Sequence, residues 1–140
     1  MALLLVLGRA FVIALRYRPL GTLDAIITDG TIGLYLGWVS IATAANATAV
    51  LVAAGFTGFG ISQDVWAVVV LAVAAIVGIV IAVVGRGRIA PALSLSLGLA
   101  WVAVGRLAGE LISVPAGVAA IVAVLVVLGA ATVARVRTAT

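Results

Sequence analysis

Apolar residues run through this chain in long blocks, and polar residues fall between the blocks or along one stripe inside them. The blocks cover residues 1–15, 31–54, 65–84, 89–108 and 111–134. A hydrocarbon layer about 30 Å thick is crossed by about 20 apolar residues in a helix, so every block but the first is long enough. The first reaches only about 22 Å at ~1.5 Å per residue. It carries Arg9 in its middle, so it reads as a short span whose cation snorkels or finds a partner. Arg16-Tyr17-Arg18-Pro19 ends it with two charges, an interfacial ring and a helix breaker. Leu20, Leu23, Ile26 and Ile27 then recur at helical spacing around Asp24 and Thr28, which predicts a helix over 20–28 lying on the membrane surface. The expected fold is all-α, a single integral-membrane helical bundle over residues 1–140 with about five spans.

The block from Asp29 to Phe56 differs from the others in holding Tyr35, Trp38, Ser40, Thr43, Asn46 and Thr48. Asp29 or Thr31 is its expected N-cap. At ~100° per residue, Tyr35, Trp38, Ala42, Ala45, Asn46, Ala49 and Ala53 share one arc roughly 100° wide. A small, aromatic, amide-bearing face of this kind is expected to turn toward other helices, because an unpaired amide in hydrocarbon costs several kcal/mol. Gly33 and Gly37 add a GxxxG pair, and Gly105 and Gly109 form another. These two pairs are the expected faces of a homodimer. The block over 89–108 is also mixed, with Ser94, Ser96, Trp101 and Arg106. Helix packing accounts for all of these residues. The sharper expectation is a ligand pocket between the two mixed helices, lined by Tyr35, Trp38, Asn46, Trp101 and Arg106. A second account of Arg106 is an i, i+4 ion pair with Glu110.

Composition narrows the class. Hydrophobic residues make up 66% of the chain and charged ones 9%, against about a quarter charged in soluble domains. Mean hydropathy is +1.47. The formal net charge of +4 rests on arginine alone. In a soluble chain such an excess points to nucleic acid, but here the arginines flank the spans. Arg16 with Arg18, Arg86 with Arg88, and Arg135 with Arg137 are each separated by two spans. They therefore emerge on one side, the cytoplasmic one under the positive-inside rule, which puts the C-terminus in the cytoplasm of a cell with the chain in its inner or plasma membrane.

Chemistry is sparse. Cysteine and histidine are absent, which removes thiolate nucleophiles, disulfides and the usual zinc and haem ligands. The carboxylates Asp24, Asp29, Asp64 and Glu110 all fall near the ends of spans, so no acid or base sits inside one. No catalytic residue, metal ligand or cofactor is expected, and the chain is not read as an enzyme. The loop GFTGFGISQD lacks the lysine of a phosphate loop, and GRGRIA lacks the preceding strand of a dinucleotide fold. Ser62 or Asp64 is the expected N-cap after that first loop.

The runs DGTIGLYLGWVSIATAANATAVLVAAGF and GRIAPALSLSLGLAWVAVGRLAG resemble the C-terminal part of bacterial tryptophan-rich sensory proteins, the translocator-protein (TspO/MBR) family, over roughly Asp24 to Gly109. The resemblance implies a five-helix membrane bundle, often dimeric, that binds porphyrin-like or sterol-like molecules, and it carries a ligand role onto Trp38 and Asn46. The family's Trp-x-Pro-Pro type loop has no counterpart here, and an N-terminally truncated member is expected. The alternative from another class is a small structural or transport-associated subunit acting through helix packing.

Overall fold

A computed structural model describes residues 2–14, 16, 22–110 and 112–139. The apolar blocks become five helices: α1 (Ala2–Ala14), α2 (Thr22–Ala53), α3 (Gln63–Val84), α4 (Ile89–Ala108) and α5 (Val114–Ala139), with one 3-10 turn at Gly58–Gly60. There is no strand among the described residues. Four helices hold stretches long and apolar enough to cross a membrane, and α1 adds a shorter apolar segment over Leu5–Ala14. The fold is an all-α membrane bundle.

α2 departs from the pattern. The sequence predicts a surface helix over 20–28 and a fresh start at Asp29 or Thr31, whereas the backbone runs as one helix from Thr22 to Ala53. A lone glycine in a helix costs only about 1 kcal/mol, so Asp29-Gly30 is too weak a signal to interrupt a helix continued on both sides. The expected stop at Tyr17-Arg18-Pro19 and the side chains of Asp24 and Asp29 lie outside the described residues.

Two helices, α3 and α5, begin with serine caps. The Ser62 hydroxyl accepts the Val65 N–H at 3.4 Å and opens α3. The Ser113 hydroxyl accepts the Ala116 N–H at 3.3 Å at the start of α5, and donates to Asp64 Oδ1 at 2.6 Å. One serine thus satisfies a helix end and ties the first turns of α3 and α5 together. Trp66 closes the loop between α2 and α3 by donating from Nε1 to the Gly58 carbonyl at 3.0 Å. Phe56 packs edge-on against both Phe59 and Trp66.

Lipid tails are as apolar as leucine, so the helices of a membrane bundle gain little from hydrophobicity and depend on close contact. Small residues supply it. A Cβ on Gly33 would meet Pro91 and Ala90; one on Gly37 would overlap the Pro91 carbonyl and lie 2.9 Å from the Leu95 nitrogen; one on Gly98 would lie 2.6 Å from Ile41. These numbers rise together, so α2 and α4 run parallel. The same holds for α3 and α5, from Asp64 with Ser113 through Gly78 with Val127 to Gly87 with Arg135. The buried core lies where α3, α4 and α5 meet, around Leu95, Leu99, Ala120 and Val127. Around the bundle the principal contacts follow the order α1, α2, α4, α5, α3. Phe11 lies against Gly85 at the end of α3, so Arg16, Arg86, Arg88, Arg135 and Arg137 gather at one end of the bundle. Asp64, Ser113 and Glu110 mark the other end.

Candidate ligand-binding groove

The ring of helices is open between α1 and α3. With 13 residues against 22, α1 is about 20 Å long beside about 33 Å of α3. It flanks the half of α3 nearest Gly85 and packs chiefly on α2. The result is an open-sided groove of about 720 Å³, within the range of about 300–1,000 Å³ usual for small-molecule sites. Val77, Val80 and Val84 form its α3 wall, at helical spacing. Its floor is Leu36 and Ser40 of α2. The Ser40 hydroxyl donates to the Leu36 carbonyl at 2.8 Å, which leaves that floor with no free donor.

The α1 side carries the charge. Leu5, Arg9 and Val12 follow one another at spacings of four and three and share a face of α1, while Arg16 stands in a turn past the end of the helix. That face lines the groove, together with Gly8 and Arg16. Arg9 and Arg16 are both exposed, and no carboxylate stands among the groove residues. The groove therefore offers an apolar, valine-walled surface with two guanidinium groups along one edge. A guanidinium is a planar fork of donors suited to carboxylate or phosphate. A second cavity of about 390 Å³ between α4 and α5 is lined by alanine, valine, leucine and isoleucine alone and has nothing to orient a ligand.

The residues singled out from the sequence are placed elsewhere. Tyr35, Trp38 and Asn46 do share one face of α2, and all three are exposed. The side of α2 that meets α4 is Gly33, Gly37 and Ile41, which lies roughly 100–180° around the helix from them. Trp38 is 53% exposed and Trp101 76%. Both stand on the outer surface of the bundle, so the structure does not bring Tyr35, Trp38, Asn46 and Trp101 into an enclosed pocket between the two helices. Arg106 is half-buried and makes no ion pair with Glu110: α4 stops at Ala108, and Gly109, at ψ −170°, carries Glu110 out of helical register. Gly33 and Gly37 are filled by α4 of the same chain, while Gly105 faces open space.

The model of the family described as TSPO-like protein matches residues 1–129. The chain belongs to this family. No curated protein and no solved structure matches it.

For this TSPO-like protein, sequence reasoning passed over the α1 face. Arg9 and Arg16 were accounted for separately, one as a snorkelling cation and one as a stop signal. The groove lining brings them together, Arg9 from α1 and Arg16 from the turn past its end. The valine wall of α3 carried no signal of its own, because every face of that helix is apolar.

Proposed function

We propose that this TSPO-like membrane protein binds a flat, apolar, anionic ligand of the tetrapyrrole class in the groove between α1 and α3, and that it works by binding rather than by catalysis. The observation that carries this reading is the presence of two arginines in the lining of an otherwise largely apolar groove of about 720 Å³. A porphyrin has the matching chemistry, a planar hydrocarbon-like ring with carboxylates on one edge. A sterol has no charge for Arg9 and Arg16 to meet. On the positive-inside rule the arginine-bearing end, with the C-terminus, faces the cytoplasm, and the groove then opens toward the cytoplasmic leaflet.

The test is a titration of the detergent-solubilised protein with protoporphyrin, followed through the absorption band of the porphyrin itself. The wild-type chain gives a saturable shift. Val80→Trp, which fills the groove from its wall, abolishes the shift while leaving the chain folded. A linear response without saturation, or an unchanged response in Val80→Trp, removes the reading.

A further inference from the structure

A second arrangement stands at the same end of the bundle, outside the groove. The turn from α3 to α4 is made by Arg86 at φ 51° and Gly87 at φ 73°. Both are left-handed, a conformation that residues other than glycine rarely adopt. The turn is clamped onto the last turns of α5. Gly87 lies so close to the Arg135 backbone that any Cβ would overlap it, and the Thr138 hydroxyl lies 3.2 Å from the Arg86 carbonyl, with the Ala134 and Arg135 carbonyls of its own helix at 3.1 and 3.0 Å competing for its one proton. Arg86 and Arg135, both exposed, are thereby carried on two backbone segments in contact.

Three further features surround the pair. α4 opens directly after the turn, and its N-cap residue Arg88 gives it no side-chain cap, so the positive end of a helix dipole adds to the guanidinium charge. The described carboxylate side chains, Asp64 and Glu110, are at the far end of the bundle. On the membrane side of Arg86, Val83 and Ile76, two turns apart on one face of α3, are exposed at 62% and 59%. A positive-inside signal calls for arginines at this end, but not for a left-handed arginine next to a glycine pressed against the α5 backbone.

We propose that this corner binds the phosphate of an anionic phospholipid in the leaflet that the arginine-bearing end faces. The phosphate sits between Arg86 and Arg135, and the acyl chains run down over Val83 and Ile76. Arginine forks suit phosphate oxygens, and basic pockets between spans are suited to anionic headgroups. The exposed apolar face of α3 below Arg86 commits the site to a lipid, because a free anion has no use for it.

The full chain is purified in a neutral detergent, and lipid retained through detergent exchange is counted by native mass spectrometry, with phosphatidylglycerol and phosphatidylcholine as probes. Phosphatidylglycerol is retained and phosphatidylcholine is not. Arg86→Gln/Arg135→Gln lowers retention at least ten-fold, whereas Arg106→Gln/Arg137→Gln, which removes the same charge, leaves it unchanged. Equal loss in both double variants, or no loss in the first, overturns the proposal. So does displacement of the lipid by millimolar inorganic phosphate, which would make this a free-anion site. If the first variant does not accumulate, Arg135→Gln alone leaves the turn and its backbone contact with α5 in place. A several-fold fall in retention there supports the site, and unchanged retention overturns it.

Discussion

The seam between α2 and α4 and the groove between α1 and α3 both involve glycine on one helix and branched or bulky residues on the other, yet one is closed and the other open. At the seam every gap has a filler: Pro91 enters at Gly33, Ser94 and Leu95 lie over Gly37, and Ile41 enters at Gly98. In the groove Gly8 meets nothing within 4 Å, and Val80 stays 53% exposed. The difference teaches that a glycine marks a helix contact only when the neighbouring helix supplies a side chain at the same height. In lipid no hydrophobic force closes an unfilled gap between helices, so a mismatch in height persists as a cavity.

The largest effect expected from this comparison is steric. Gly37→Leu drives a side chain into the Pro91 carbonyl and the Leu95 nitrogen, both backbone atoms that cannot swing aside. Overpacking typically costs about 1–3 kcal/mol and occasionally more, and backbone overlap places this variant at or above the top of that range. Gly8→Leu adds the same side chain to the groove and finds room. The expected outcome is a chain that loses its monodisperse peak on gel filtration after mild heating for Gly37→Leu, and one that keeps it for Gly8→Leu. Equal behaviour of the two would mean that the seam is no tighter than the groove.

The contrast also explains what could be read beforehand. The fold class was legible, because long apolar blocks separated by arginine, glycine and proline permit little else. The shared face of Tyr35, Trp38 and Asn46 was legible too, since spacing alone fixes which residues lie together on a helix. Spacing does not fix where that face points. Gly33 and Gly37 were grouped with the aromatic arc, but they lie on the side of α2 away from it, and it is the glycines that α4 meets. The deciding information was the height of Pro91, Leu95 and Gly98 on another helix, which exists only once α2 and α4 are set side by side. The continuity of α2 through Asp29 escaped for a related reason: a local break signal was outweighed by helix on both sides of it.

A smaller effect separates the charged edge of the groove from its apolar wall. A hydrogen bond to a charged group contributes about 1.5–3 kcal/mol, so Arg9→Gln is expected to weaken protoporphyrin binding by roughly ten-fold or more. The dimethyl ester of the same porphyrin, which has the ring but no free carboxylates, should bind wild type and Arg9→Gln alike. Equilibrium titrations of both ligands against both proteins form a two-by-two comparison. A ten-fold loss for the ester as well would show that Arg9 supports the groove structurally and does not meet an anion.

The smallest effect is expected on the face the sequence made most conspicuous. Trp38 and Trp101 stand on the outer surface, turned away from both the seam and the groove, so Trp38→Phe/Trp101→Phe removes no contact that a groove ligand makes. Affinity read from the porphyrin absorption band should change by less than about two-fold, since substitutions away from buried contacts usually shift free energies by within about 0.5 kcal/mol. Tryptophan emission would fall in the same variant whether or not a ligand binds nearby, which is why the ligand's own band is the informative signal. A ten-fold loss of affinity here, with Arg9→Gln silent, would move the site from the groove to the outer face of α2 and α4. The ligand would then have to be held by a surface on which this single chain offers no enclosing wall.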